Sequence, residues 1–132
     1  MVTFDEELQK KNIAELRVKE QENLARVLSE KYGLPYTDLS LVPVNTDALK
    51  EVGEEDARKG LLAPFRVEGK ILHIAAVAPE GSEALRVLKE LEARGFKIKL
   101  YVSSKRSVEA AWEYYKDVAL SVETSEGILE IS

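Results

Sequence analysis

Few residues of this chain have side chains that could carry out covalent chemistry. The 132 residues include no cysteine and one histidine, His73, which lies in the apolar run Ile71–Ala75. Without cysteine, thiol catalysis, disulfides and thiolate metal sites are excluded. A general base at His73 would need a neighbouring carboxylate and a cleft, and this run supplies neither. We therefore expect a histidine that packs under a helix with one ring nitrogen hydrogen-bonded; a small enzyme acting through His73 is the alternative.

The usual sequence patterns for binding phosphate or metal are also missing. Gly69-Lys70 is the one Gly-Lys pair, and no Ser or Thr follows it as a phosphate-binding loop requires. Glu54, Glu55 and Asp56 could bind a divalent cation in principle, but adjacent residues of a helix point in different directions. We therefore predict no catalytic residue, no cofactor and no metal site, and hence no enzymatic activity in this domain itself.

One local excess of positive charge could bind an anionic partner. Seven basic residues and only two acidic ones lie between Arg86 and Arg106. Five of the basic residues make up the predicted interaction patch: Arg86, Lys89, Arg94, Lys97 and Lys99. Such a patch could receive an acidic helix, a phosphate or another anionic ligand. The alternative is that these lysines keep an edge strand soluble and prevent it from pairing with other strands.

Composition restricts the class of protein. The chain is 45% hydrophobic and 33% charged, with a net charge of -5, which suits one compact domain and gives no reason to expect a nucleic-acid partner. No apolar run approaches the roughly 20 residues that span a bilayer, and the acidic first residues lack the pattern of a signal peptide. We therefore expect a cytoplasmic protein that does not insert into the membrane directly.

Apolar residues at helical spacing predict the helices that would position these groups. The clearest stripe consists of four residues: Leu24, Val27, Leu28 and Tyr32. We expect this stripe to be buried, on a helix that ends at Gly33. A second helix is expected from Asn45 or Thr46 to Lys59, and Gly53 in its middle could split it into two. Two further helices are expected on either side of a third strand.

The strand signals are clearest in the middle of the chain. Leu61–Val67 and Lys70–Val77 flank Glu68-Gly69, a two-residue turn of the kind that closes a hairpin. The second of these strands is nearly all apolar, so we expect it to be covered on both faces. Pro64 places the first strand at a sheet edge or at an irregularity. The alternation in Lys97–Val102 predicts a third strand with one wet face.

These elements predict an α/β (α+β) fold, with a small three-stranded sheet that contains a hairpin and is covered by about four helices. We divide the chain into a charged helical arm at 1–20, an α/β domain at 21–116 and an acidic tail or linker at 117–132. The arm is either a solvated helix or a helix that docks on a partner or on another domain of a larger chain.

Several segments together resemble a known family. Residues 24–40 read LARVLSEKYGLPYTDLS, and residues 62–79 read LAPFRVEGKILHIAAVAP. With EEDAR at 54–58 and AAWEYY at 110–115 in the expected order, they resemble the N-terminal domain of type II secretion and type IV pilus assembly ATPases. This domain is also known as the general secretory pathway protein E N-terminal domain. The resemblance covers roughly residues 20–116.

The resemblance implies a docking or regulatory module. In that family the ATPase core with its phosphate-binding loop lies C-terminal to this domain, which engages inner-membrane platform proteins from the cytoplasmic side. The protein would thus be peripheral to the inner membrane through its partners. Some members bind cyclic di-GMP through motifs that begin with Arg-Leu-Gly and end in Gln, so nucleotide sensing is the alternative function. This chain has no Arg-Leu-Gly in residues 4–19, with Asn12 about where a glycine would stand and Lys31 where the Gln would fall.

Overall fold

The computed structural model describes residues 4–118, and the side chains from residue 10 onwards. The elements follow the order α1 (Phe4–Tyr32), α2 (Thr46–Leu49), α3 (Glu54–Gly60), β1 (Leu62–Glu68), β2 (Ile71–Ala76), α4 (Ser82–Ala93), β3 (Lys97–Val102) and α5 (Lys105–Trp112). This confirms the α+β class with a three-stranded sheet, and gives about five helices. The predicted second helix is two helices because its backbone is extended at Gly53, which precedes the first residue of α3.

The sheet has the order β1-β2-β3. β1 and β2 form the predicted antiparallel hairpin, but the turn lies one residue later than expected, because Glu68 pairs with Ile71 and leaves Gly69 and Lys70 in the turn. β1 is an edge strand, and its register shifts between Pro64 and Arg66, which confirms both readings of the proline. β3 runs parallel to β2, and α4 makes the connection that a parallel pair requires.

The core lies around the central strand β2. Five of its six residues are buried, and Leu72 and Ile74 are fully enclosed. On α4 the buried residues recur at helical spacing, so the helix buries one side and exposes the other. The Trp112 indole N–H donates to the Leu62 carbonyl oxygen at 2.8 Å, which ties the end of α5 to β1. The Tyr115 hydroxyl donates to the Val52 carbonyl at 3.0 Å, and burial raises the pKa of this hydroxyl.

Helix α1 departs from the sequence prediction in its orientation. Leu24 and Val27 of the expected buried stripe are each 60% exposed, so that expectation is wrong for them. The side of α1 that faces the body carries Glu22, Ala25 and Ser29, all buried. The physical reason is that Glu22 finds enough hydrogen-bond donors on the body to offset its burial.

Helix α1 is also continuous through the predicted boundary at residue 20. Asn12 does not interrupt it, since asparagine costs a helix less than 1 kcal/mol. It ends at Gly33, as predicted, where φ is 65° and the Leu34 amide donates to the Ser29 carbonyl. The division into an arm, a domain and a tail stays a prediction, and residues 119–132 of the tail lie outside the described part.

Candidate functional site

The first residue of the predicted interaction patch, Arg86, is surrounded by carboxylates. Its guanidinium lies 2.9 Å from Asp56 of α3, 3.0 Å from Glu83 and 2.9 Å from Glu90. The hydrogen bond to Asp56, followed by those to Glu83 and Glu90, raises the pKa of Arg86 above its already high ordinary value. Arg86 therefore joins α4 to α3, and most of its charge is compensated within the domain.

Arg94, at the C-terminal end of α4, is also paired. It donates to the Glu51 backbone oxygen at 2.8 Å and to the Glu51 carboxylate at 2.7 Å. These bonds fix the end of α4 to the segment that connects α2 and α3. The guanidinium is half exposed, but its charge is offset by a carboxylate from a distant part of the sequence.

The lysines of the predicted patch are in a different situation. Lys89, Lys97 and Lys99 are exposed, and none of the described carboxylates forms an ion pair with them. Lys97 and Lys99 are two residues apart on β3, so both side chains extend from the same face of the sheet. The five residues therefore do not form one uniform patch in the structure, and their role in binding stays a prediction.

His73 lies on the same sheet face as these two lysines. In the sheet register it pairs with Arg66 on one side and with Lys99 on the other. It is 6% exposed, and its Nδ1 lies 2.9 Å from the Tyr101 hydroxyl, which supplies the one hydrogen-bonded nitrogen that was expected. The rings of Phe65 and Tyr101 pack against it.

The other ring nitrogen of His73 has no hydrogen-bond partner among the described residues, and the Glu68 carboxylate stands 3.9 Å away. Burial lowers the pKa of His73, Glu68 opposes this effect, and the charges of Arg66 and Lys99 add to it. The ring is therefore neutral at pH 7. A general base would need a free carboxylate within hydrogen-bond distance, and Glu68 is both farther away and paired with Arg66.

The most connected buried polar side chain among the described residues is Glu22 of α1, which sequence reasoning missed. Its carboxylate accepts from the Tyr36 hydroxyl at 2.5 Å and from the Ser104 hydroxyl at 2.5 Å. Arg106 lies 3.2 Å from the same carboxylate and 3.3 Å from Asp38. We refer to these five residues as the Glu22 cluster. Burial, and then the bond to Glu22, raises the pKa of Tyr36 to about 12.

The Glu22 cluster explains the GLPYTDLS segment in physical terms. Tyr36 and Asp38 bind Glu22 and Arg106, while the backbone between them follows the end of β3. The Thr37 amide donates to the Val102 carbonyl at 3.0 Å, and the Val102 amide donates to the Pro35 carbonyl at 2.8 Å. The segment therefore holds α1, β3 and the start of α5 together. Tyr36 and Asp38, which belong to the family-like segment, are the sequence signal that could have indicated it.

The outer side of α1 carries an apolar stripe that no described residue covers. It consists of Ile13, Leu16, Leu24 and Val27, which are 51 to 60% exposed. At 3.6 residues per turn these positions fall within about 80° of the helix circumference, and the exposed Glu20 lies in the same arc between Leu16 and Leu24. We refer to them as the outer stripe. A cleft of about 200 Å³ begins beside Leu24 and continues between α1 and the residues Val77 and Ser103.

Two kinds of site are not found among the described residues. No group of three or more histidine, aspartate or glutamate side chains is arranged to hold a metal ion. None of the helices between residues 4 and 118 has both the length and the apolar character needed to cross a membrane.

Comparison with known proteins relates this arrangement to secretion and pilus systems. A family model described as the MshEN domain matches residues 32–122. The type IV pilus assembly ATPase PilB of Myxococcus xanthus (strain DK1622) is 34% identical over 105 residues, which cover 79% of this chain. The chain spans only 18% of the length of that relative.

Solved structures give the same fold. The structure of MshE with cdg has a TM-score of 0.63 and 23% identity, covering 70% of this chain and 66% of the other. One structure of the N-terminal domain of XpsE has a TM-score of 0.57 and 15% identity, covering 85% of each chain. The family match includes the GLPYTDLS segment and the hairpin on which the resemblance was based. The chain therefore belongs to the MshEN domain family, the N-terminal domain of type II secretion and type IV pilus assembly ATPases.

Proposed function

We propose that this domain is a non-catalytic docking module that binds inner-membrane platform proteins and connects them to the ATPase core of its parent chain. The observation that carries the proposal is the outer stripe of α1. A helix with an exposed apolar face is the usual partner of a hydrophobic groove, which it enters through residues three, four and seven positions apart. The protein would then work in the cytoplasm, held at the inner membrane by its partners.

The way α1 is held supports docking. Its C-terminal part is fixed to the body through buried Glu22, Ala25 and Ser29, whereas residues 10–21 are all exposed. The outer stripe begins in this exposed part and continues over the fixed part, at Leu24 and Val27. A partner bound along the stripe therefore contacts both parts of one continuous helix. Since the helix is already formed, binding does not have to offset the entropy cost of ordering it.

The proposal is tested with the cytoplasmic domains of pilus or secretion platform proteins, titrated against this domain. We expect Leu16→Glu and Leu24→Glu each to weaken binding strongly, because a charge enters the apolar contact. The matched control is Lys11→Glu, an exposed position on the opposite side of α1, which should bind as the original does. Absence of binding to every platform domain up to about millimolar concentration would overturn the proposal.

Cyclic dinucleotide sensing is the second candidate, because one of the solved structures with a similar fold is that of MshE with cdg. The interaction patch from Arg86 to Lys99 would then receive the phosphates, and Lys89, Lys97 and Lys99 are its members without an ion pair among the described residues. Calorimetry with cyclic di-GMP and with ATP separates the two functions. A micromolar response that Lys97→Glu abolishes would favour sensing, and the absence of heat with both nucleotides would leave docking.

A further inference from the structure

The outer edge of β3 has backbone groups that the described fold does not use. The Lys97 amide donates to the Lys70 carbonyl, and the Ser103 amide donates to the Ala76 carbonyl. The backbone N–H groups of Lys97 and Ser103 therefore point toward β2. In a strand the direction of these groups alternates, so the N–H and C=O groups of Ile98, Leu100 and Val102 face away from β2.

Val102 shows that this edge can accept another chain segment. Its N–H and C=O both bond to the segment 35–37, which runs parallel to β3 at this point. Among the described residues that bridge is the one pairing on the outer edge, and it ends at Val102. The outward backbone groups of Ile98 and Leu100 have no hydrogen-bond partner among the described residues, although α1 also contacts β3.

The side chains of β3 define what such a strand would contain. Lys97 and Lys99 are exposed on one face, and Ile98 and Leu100 are half-buried on the other. A strand added beside β3 places its own residues alternately on the same two faces. The partner residues nearest the lysines would meet positive charge, and those nearest Ile98 and Leu100 would extend the apolar face.

We propose that the outer edge of β3 binds an extended segment of a partner protein in which acidic and apolar residues alternate. The acidic side chains pair with Lys97 and Lys99, and the apolar ones pack beside Ile98 and Leu100. Strand addition of this kind obtains affinity from main-chain hydrogen bonds and specificity from alternate side chains.

The charges of the sheet face determine that the partner is acidic. The row beside Lys97 and Lys99 contains Arg66, which is paired with Glu68, so among the described residues the two lysines are the charges of this face without an ion-pair partner. Opposite charges on neighbouring strands stabilise their pairing, and like charges destabilise it. A second copy of this chain at the same edge would place lysines against lysines, which disfavours a homodimer there.

The test uses a short synthetic peptide of alternating Glu and Val, with a Lys and Val peptide of equal length as its control. Amide hydrogen exchange followed by NMR reports the bond that the proposal requires. We expect the Glu peptide to slow exchange at the Ile98 and Leu100 amides, and the Lys peptide to leave them unchanged. If the Glu peptide binds without slowing exchange at these two amides, or does not bind at millimolar concentration, strand addition is wrong.

A charge exchange tests the choice of partner without altering the backbone. Lys97→Glu combined with Lys99→Glu should weaken binding of the Glu peptide at least about tenfold and allow the Lys peptide to bind. The matched control is Lys89→Glu, at an exposed lysine of α4. If the doubly substituted domain binds the Glu peptide as well as the original does, the lysines act only to keep the edge soluble.

This proposal is independent of the outer stripe. Leu16→Glu on α1 should leave peptide binding unchanged, and the lysine substitutions should leave a helix-docked platform protein bound. Failure of the one proposal is therefore distinguishable from failure of the other. Sedimentation should show that the domain is a monomer. If it shows a dimer, and Lys97→Glu strengthens that dimer, the partner at this edge is a second copy of the chain and not an acidic segment.

Discussion

Two regions of this domain bury opposite kinds of side chain. In the core, β2 and α4 turn apolar residues inward, and the exposed positions of α4 carry charges such as Arg86 and Glu90. Where α1 meets the body, the buried side contains Glu22 and Ser29, and the apolar outer stripe faces solvent. Apart from Ala25, this contact of α1 is therefore polar, and the larger apolar side chains of the helix are the exposed ones.

The largest effect is expected in the core. Ile74→Ala removes a fully buried side chain from the central strand, and we expect a loss of about 2–5 kcal/mol in the free energy of unfolding. Urea denaturation followed by circular dichroism measures it. Leu85→Ala, on the exposed side of α4, is the control and should cost much less. Equal losses for the two variants would contradict the assignment of Ile74 to the core and of Leu85 to the exposed side of α4.

The contact of α1 should be the next most sensitive. Glu22→Ala leaves Tyr36 and Ser104 without their acceptor, and Arg106 with Asp38 alone, so we expect a loss of about 1–3 kcal/mol in the free energy of unfolding. The same denaturation experiment applies, with Glu20→Ala at an exposed position of α1 as its control. If Glu22→Ala is as stable as Glu20→Ala, hydrogen bonds do not hold α1 and the contrast between the regions fails.

A smaller effect is expected from His73, the polar exception within the core strand. Since burial lowers its pKa in the folded protein, the unfolded chain takes up the proton first when the pH falls below the ordinary histidine value of about 6.5. The free energy of unfolding should therefore decrease as the pH is lowered from 7 toward the folded pKa. His73→Gln should remove this part of the pH dependence. An unchanged pH profile in that variant would assign the dependence to other groups.

The smallest effect is expected on the outer stripe. Leu24→Ser replaces a mostly exposed side chain, and the free energy of unfolding should change by no more than about 0.5 kcal/mol. Thermal denaturation of this variant beside the original domain is sufficient. A destabilisation of several kcal/mol would show that Leu24 is buried in solution, as its spacing had suggested.

Local features of the fold could be predicted from the sequence because their causes are local. Gly53 weakens a helix, and Pro64 cannot donate a hydrogen bond within a sheet. Both effects arise from the residue itself and do not depend on distant parts of the chain. Helical periodicity also identified the stripe at Leu24 and Val27, but it cannot tell which side of a helix faces the body. That choice depends on Glu22, whose partners Tyr36 and Ser104 are 14 and 82 positions away.

The candidate site was harder to predict for the same reason. A count of charges along the chain placed Arg86 and Arg94 in one basic patch with the lysines. Arg86 pairs with Glu83 and Glu90 on its own helix, three and four positions away. Its third carboxylate, Asp56, and the carboxylate of Glu51 that pairs with Arg94 are 30 and 43 positions distant, and they become neighbours only when the chain folds. The lysines of β3 could be identified because a strand shows its two faces in the alternation of its own residues.

The geometry of α1 has a mechanical consequence. With 29 residues at 1.5 Å each, the helix is about 43 Å long, and the Glu22 cluster fixes it about two thirds of the way from its N-terminal end. A force applied to the distant end would act on that cluster with leverage. Because one carboxylate holds Tyr36, Ser104 and Arg106 together, a tilt of the helix would strain all three contacts. A load on the tip would therefore act on the junction of β3 and α5 through a single side chain.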